Sequence, residues 1–211
     1  MSSPFSLPLY DEGEEAWPTN TKIHAGCGGI YLTGYTNVDI VGSLAHENPS
    51  LVDANSTEVR KYYARLAGTA VALPKRRATV VDVQADLLSW LPTEHSWRKV
   101  IALQVLGHFT PRQAIRILSR WCSHLYHQGG VLVLSVPDMA GTLRMLREGS
   151  VAEREFAVRH LEGSGRDEYN WHKAWYTQDS LGEALSASGF TRQEWLPNIH
   201  IYPALCVRTH P

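Results

Sequence analysis

An apolar run beginning Lys22-Ile23-His24-Ala25 enters Gly26-Cys27-Gly28, and a second run, Thr36-Asn37-Val38, closes on Asp39. This pairing constrains the fold more than any other feature of the chain. Glycine has no side chain, so small residues after a strand let a ligand lie against bare backbone. A carboxylate that ends the neighbouring strand is the usual partner of two ribose hydroxyls. Segment 22–40 therefore predicts two adjacent strands whose ends form a nucleoside-binding edge of an α/β sheet. A glycine cluster alone marks many plain turns. Its placement between two strand-like runs, with Asp39 closing the second, makes the signal specific.

The rest of the chain continues the alternation. Strands are expected at 21–26, 36–40, 79–84, 98–104, 130–136, 190–196 and 200–207. Val131-Leu132-Val133-Leu134-Ser135-Val136 is apolar on both faces, as a central parallel strand should be. A helix over 111–126 starts with Thr110 as cap and Pro111 in the first turn. It carries Ile115, Leu118, Cys122 and Leu125 at helical spacing and stops at Gly129-Gly130. A second helix over 178–188 places Leu181, Ala184, Leu185 and Ser188 on one side and ends at Gly189. Alternating strands and helices imply a mostly parallel sheet with helices on both faces. Only Pro197-Asn198 separates the last two expected strands, which predicts a hairpin and one antiparallel strand. Segments 41–78, with a helix near 55–67, and 148–175, helical and then aromatic and His-rich, exceed the minimal repeat. Such insertions usually lie over the carboxyl ends of the strands. The joint Gly163-Ser164-Gly165 predicts that 148–175 acts as a cover that orders over a ligand.

Composition narrows the function. The chain has 211 residues, which fits a single domain over 1–211 with a sizeable core. Its net charge of -1 gives no electrostatic case for nucleic acid or an anionic membrane as partner. Cys27, Cys122 and Cys206 are scattered and odd in number, which argues against a disulfide framework and a zinc site. No histidine pair has helical metal-ligand spacing, so no metal is expected. No apolar stretch reaches membrane-spanning length, and the N-terminus is acidic with no hydrophobic signal core, so a cytoplasmic protein is expected.

The order of motifs resembles the class I, Rossmann-like S-adenosylmethionine (SAM)-dependent methyltransferases, and more narrowly a small bacterial subgroup with a Gly-Cys-Gly loop and a quickly following Asn-Val-Asp strand. The resemblance covers about residues 21–196. After the glycine loop it runs through Asp86-Leu87 before Leu91-Pro92, then Gln104-Val105-Leu106-Gly107-His108-Phe109, then the turn at Gly129-Gly130 and the strand ending Val136-Pro137-Asp138. It closes with Trp171-His172-Lys173-Ala174-Trp175-Tyr176 and the helix ending at Gly189-Phe190. Three departures stand out. Gly107 occupies the position where the subgroup has Glu, Arg98-Lys99 stands where Phe-Asp is usual, and Gln128 replaces a common Pro. The cofactor edge matches the pattern, whereas the rim facing the chemistry differs.

The resemblance implies an α/β, Rossmann-like three-layer sandwich with SAM as cofactor and a small molecule as substrate. It assigns Gly26, Cys27 and Gly28 to the methionine end, Asp39 to the ribose, and Asp86 with Leu87 to the adenine. Gln104 would face the amino-acid end of the cofactor. Asp86 is equally suited to cap the turn that follows it. His108 and His172 are candidate proton acceptors because imidazole titrates near neutral pH, and Tyr176 joins them from the aromatic stretch. Methyl transfer needs little acid–base chemistry, so alignment of the nucleophile is the main demand. Two alternatives remain open at this point. One is SAM chemistry without methyl transfer, such as attack by its own amino group with release of methylthioadenosine. The other is a non-catalytic nucleoside-binding protein. A dehydrogenase fits less well, because the loop lacks Gly-x-Gly-x-x-Gly.

Overall fold

A computed structural model describes residues 21–32, 34–47, 79–90, 97–165, 167–198, 200 and 202–211. The helix expected near 55–67 and most of the insertion 41–78 lie outside the described residues. The main sheet joins β1 (Lys22–Ala25), β2 (Thr36–Asp39), β5 (Val83–Gln84), β6 (Lys99–Leu103), β7 (Val131–Pro137), β8 (Arg192–Leu196) and β9 (Ala204–His210). Their spatial order is β5-β2-β1-β6-β7-β9-β8, and the strands from β5 to β7 pair in parallel. The chain winds outward from β1 through β2 to β5, then returns to β6 on the other side. That reversal between β1 and β6 is a topological switch point, where the strand ends leave a crevice. β9 runs antiparallel between β7 and β8. The predicted mixed sheet with a C-terminal antiparallel hairpin is what forms.

Period-two burial sorts the strand residues onto two faces. Ile23, Ala25, Val100, Ala102, Leu132, Leu134, Val136 and Val207 share one core with α1 (Pro111–His124) and α4 (Gln178–Ala187). On α1 the buried stripe is Ala114, Ile117, Leu118, Trp121 and Cys122, whereas Ile115, expected inside, is exposed. Spacing i, i+3, i+4, i+7, i+8 fits both registers in outline, and the bulk of Trp121 sets which one faces the sheet. Thr110 and Gln113 form a reciprocal capping box at the start of α1. The opposite face carries Ile101, Val133 and Cys206, and Leu32 packs over them with Ile30 and Tyr35 beside it.

Several expectations change in detail. The strand expected over 79–84 divides into β4 (Val80–Val81), which pairs with β3 (Ser43–Leu44), and β5, which enters the main sheet. Asp82 lies between them and accepts from the Asn37 amide at 2.7 Å and from the Tyr31 hydroxyl at 2.7 Å. The connection from β8 to β9 is longer than two residues, because β9 begins only at Ala204. Asn198 organises that loop: its Oδ1 accepts from the His200 amide at 2.8 Å and its Nδ2 donates to the Tyr202 carbonyl at 2.6 Å. A helix not expected, α2 (Met139–Glu148), follows β7 directly with Asp138 as its cap. Gly141 weakens its sequence pattern, yet a Cβ there would lie 2.7 Å from Pro203 Cβ, so the helix meets the β9 approach only through glycine. α3 (Val151–Glu162) is the helical start of segment 148–175.

His24 is buried in β1 and bonds Asn37 Oδ1 through Nδ1 at 3.0 Å, and burial lowers its pKa to about 4. Unfolded chain binds this proton near pH 6.5 and folded chain only near 4, so unfolding is favoured as pH falls through that window. Stability should be full above pH 6.5 and fall by on the order of 3 kcal/mol from this residue as pH approaches 4. Urea midpoints across that range should show the loss, and His24→Asn, which keeps a donor near the place of Nδ1 without titrating, should flatten part of it. A midpoint independent of pH would count against the assignment.

Candidate active site

The site is built at the carboxyl ends of β1, β2, β5 and β6. Gly26 leaves β1 with φ of 62°, and its amide donates to the Val38 carbonyl at 2.8 Å. A Cβ on Gly26 would lie 2.4 Å from Val105 Cγ2, so only glycine allows the loop after β6 to close on the loop after β1. Gly28 has φ of 54°, and nothing lies within 4 Å of where its Cβ would be. Its amide donates to Asp39 Oδ2 at 2.8 Å, while Asp39 Oδ1 has only a long contact of 3.4 Å from the Val41 amide. Asp39 thus clasps the loop with one oxygen and presents the other at the strand end. Cys27 turns inward. Its Sγ lies 3.8 Å from the Val80 carbonyl, and burial with the nearby Asp39 and Asp82 charges pushes its thiol well above the usual range. The residue can offer a ligand its backbone and not a thiolate.

Asp86 follows β5 and uses Oδ1 to accept from the Leu88 amide at 2.9 Å, the capping role that its sequence also predicts. Leu87 is buried. Sequence reasoning missed Arg120 of α1, whose Nη1 donates to the Leu88 carbonyl at 2.9 Å and reaches the Leu87 and Trp90 carbonyls at 3.4 Å. It fixes this turn from behind.

Gln104 leaves β6 with φ of 60°, the one positive value at a non-glycine among the described residues. Left-handed backbone at such a residue costs free energy and concentrates at functional sites. The geometry is held by Gln104's amide on the Ser135 carbonyl at 2.8 Å and by its Nε2 on Ser135 Oγ at 3.1 Å. Its side chain therefore runs along the strand ends towards β7 and lies 3.5 Å from His200 Nε2. Ser135 and His200 carried no sequence signal that distinguishes them from a strand residue and a loop histidine.

His108 sits in a single 3-10 turn, Leu106–His108. Its Nδ1 donates to the Trp171 carbonyl at 3.2 Å, which leaves the lone pair of the neutral ring on Nε2. His172 is arranged alike, with Nδ1 donating to the His160 carbonyl at 3.0 Å, and the two rings are 4.8 Å apart. Loop 163–175 is fastened beside them: the Lys173 and Ala174 amides donate to the Gly107 carbonyl at 2.8 and 3.2 Å. A Cβ on Gly107 would lie 3.3 Å from His172 Cδ2, so glycine there, in place of the Glu of the resembled pattern, leaves room for this ring. Burial lowers both histidines, His172 to about 4, and each would disfavour a charge on the other. Both rings are thus neutral at pH 7. Tyr176 is drawn into the main core, 5% exposed, with its hydroxyl unpaired and pushed up by burial to about 12. Among the described residues no group of three His, Cys, Asp or Glu side chains converges as a metal site, and no helix is long and apolar enough to cross a membrane.

The chain matches no protein-family profile and no curated relative. Solved structures share its fold. Mitomycin 7-O-methyltransferase MmcR is similar with a TM-score of 0.54 at 13% identity, covering 91% of this chain and 49% of that chain. The S-adenosylmethionine-dependent methyltransferase SibL, in its apo form, gives 0.52 at 13% identity over 90% of this chain and 49% of that one. An O-methyltransferase family 2 protein from Planctomyces limnophilus, in complex with apigenin, gives 0.51 at 12% over 90% and 49%. The chain spans about half the length of each of these three. The chain shares the fold of these three methyltransferases.

Substitution at the two loop glycines separates fold from site. Gly28→Ala has space and should cost about 1–2 kcal/mol for its left-handed backbone. Gly26→Ala adds a collision with Val105 and should cost about 1–3 kcal/mol more. Denaturation midpoints should fall in that order, and equal losses would refute the close approach at Gly26.

Proposed function

We propose that this chain is a SAM-dependent methyltransferase acting on a small molecule. The observation that carries the reading is the clasp of Asp39 on the Gly28 amide at 2.8 Å, with open space over Gly28 at the switch point. Bound SAM would supply a methyl group already activated on a sulfonium. The residues fit such a group. The bare face of Gly28 admits a ligand against backbone, and Asp39 Oδ1 can accept from ribose hydroxyls. Asp86 with buried Leu87 would meet the adenine, and Gln104 stands at the strand end where the amino-acid end and the acceptor meet.

Asp39→Asn keeps an acceptor for Gly28 but removes the charge. Charge-assisted hydrogen bonds contribute roughly twice as much as neutral ones, so S-adenosylhomocysteine should bind the variant at least about tenfold more weakly by calorimetry. Unchanged affinity would sink the ribose assignment.

The histidines divide by basicity. His172, with a pKa near 4, is a weak proton acceptor and is better suited to hold His108 and loop 163–175. His108 is half-buried with a lone pair on Nε2 and is the stronger candidate to take a proton from an acceptor hydroxyl or amine. His108→Ala should lower turnover by roughly 10²–10⁴-fold with little change in S-adenosylhomocysteine affinity. Wild-type turnover in that variant would leave alignment as the whole of catalysis. Release of methylthioadenosine from SAM alone, with no acceptor added, would replace methyl transfer by the intramolecular chemistry.

A further inference from the structure

His200 is the most deeply placed histidine at the rim of the candidate site. It is 9% exposed and lies in the loop that joins β8 to β9. Its Nε2 is 2.9 Å from Ser135 Oγ and 3.5 Å from Gln104 Nε2. Gln104 Nε2 can only donate, and it also donates to Ser135 Oγ, so the Ser135 proton is left to point at the ring. Both neighbours thus place the lone pair of His200 on Nε2 and its proton on Nδ1. That Nδ1–H is shielded from solvent and has no hydrogen-bond acceptor. A buried donor without a partner is rare and costs free energy unless something supplies the missing acceptor.

The surroundings define what would fit. Tyr202 stacks on the His200 ring at 4.9 Å and 18°, and His160 packs on Tyr202 at 4.6 Å. Phe156 of α3 adds a ring 5.8 Å from Tyr202. His160 is committed through Nε2 to the Pro203 carbonyl at 3.1 Å. Among the described residues, the groups that act on His200 are Gln104 after β6, Ser135 on β7, Tyr202 in its own loop and His160 on α3, none of them a carboxylate. Asp138 acts on His160, where its charge favours the protonated ring. Burial and His160 hold the His200 ring neutral. An aromatic wall with an unanswered N–H and no negative charge suits a flat ligand that brings an anionic oxygen of its own.

We infer that His200, backed by Ser135 and Gln104 and walled by Tyr202, is an acceptor-substrate subsite that takes the carboxylate of a planar aromatic acid through Nδ1–H. The inference rests on the methyltransferase reading for the word acceptor, and it adds a substrate class to it. Gln104 links the two: the same left-handed residue that stands beside the cofactor edge holds the ring that would receive the acid.

The test uses the full chain, free and saturated with S-adenosylhomocysteine, titrated by calorimetry with 4-hydroxybenzoate and with neutral 4-hydroxybenzamide. The carboxylate should bind at least about tenfold more tightly than the amide, and His200→Phe should abolish that preference. His200→Asn, whose amide N–H falls near the place of Nδ1, should retain part of it. Proton–nitrogen spectra of the wild-type chain should show the Nδ1–H proton signal of one neutral histidine move downfield as 4-hydroxybenzoate is added, while its Nε2 keeps the shift of an unprotonated ring nitrogen, a change that a purely structural ring would not make. Equal affinity for the two probes, a preference that survives His200→Phe, or no binding of 4-hydroxybenzoate to either form overturns the subsite. Failure of S-adenosylhomocysteine itself to bind the wild-type chain overturns the cofactor reading instead, and the two failures are read in separate titrations.

Discussion

Asn37 is the contact on which the edge carrying the glycine loop depends. It is fully buried in β2. Its Oδ1 accepts from the Leu32 amide at 2.8 Å and meets His24 Nδ1 at 3.0 Å. Its Nδ2 donates to the Leu32 and Tyr35 carbonyls and to Asp82 Oδ2, at 3.0, 3.1 and 3.0 Å. Its amide donates to the same Asp82 oxygen, and its carbonyl accepts from the Asp82 amide at 2.8 Å. A buried amide costs free energy unless its groups are bonded, and here every one is. The described residues of the crossover from β1 to β2 form no helix, so no helical ladder orders that stretch. Asn37 and Asp82 supply the bonds from outside, and the glycine loop inherits its position from them.

The same edge carries a strained element and its compensation. Val105 packs where Gly26 would have a side chain, which brings the loops after β1 and β6 together across the switch point. The chain reaches that position by turning at Gln104 into left-handed backbone. Ser135 offsets the strain with two hydrogen bonds, one to the backbone and one to the side chain of Gln104. Rigidity at this point would align whatever lies between the glycine loop and the β7 end, which is what the proposed methyl transfer asks of the protein.

Imidazole chemistry sets the character of the rim. His108, His160, His172 and His200 all titrate below their ordinary range, with burial as the largest cause in each. Each spends one ring nitrogen on a carbonyl or hydroxyl, so the tautomers are held by neighbours and not by pH. A neutral, donor-bearing rim of this kind differs from the acidic residue that the resembled pattern carries at position 107. The exchange is local: removing the side chain at Gly107 makes space for His172.

The sequence by itself determined the alternation of strands and helices, the glycine loop, and Asp39 as the end of its neighbour, because these follow from periodicity and from what glycine alone permits. Capping boxes at Thr110, Ser150 and Thr177 are local too, since each is closed within four residues. Other features were decided only by tertiary structure. Ile115 faces outward because Trp121 needs the sheet side of α1, and no local rule ranks one apolar side chain against another. β9 starts late because Asn198 winds the loop before it. Tyr176 is drawn into the core, Cys27 is turned under its own loop, and Gln104 is pulled sideways by a serine on the next strand. His200 meets Ser135 across 65 positions of sequence, a separation at which spacing carries no information. Side-chain direction at a strand end is set by what the neighbouring strand presents, and that neighbour is known only once the sheet has assembled.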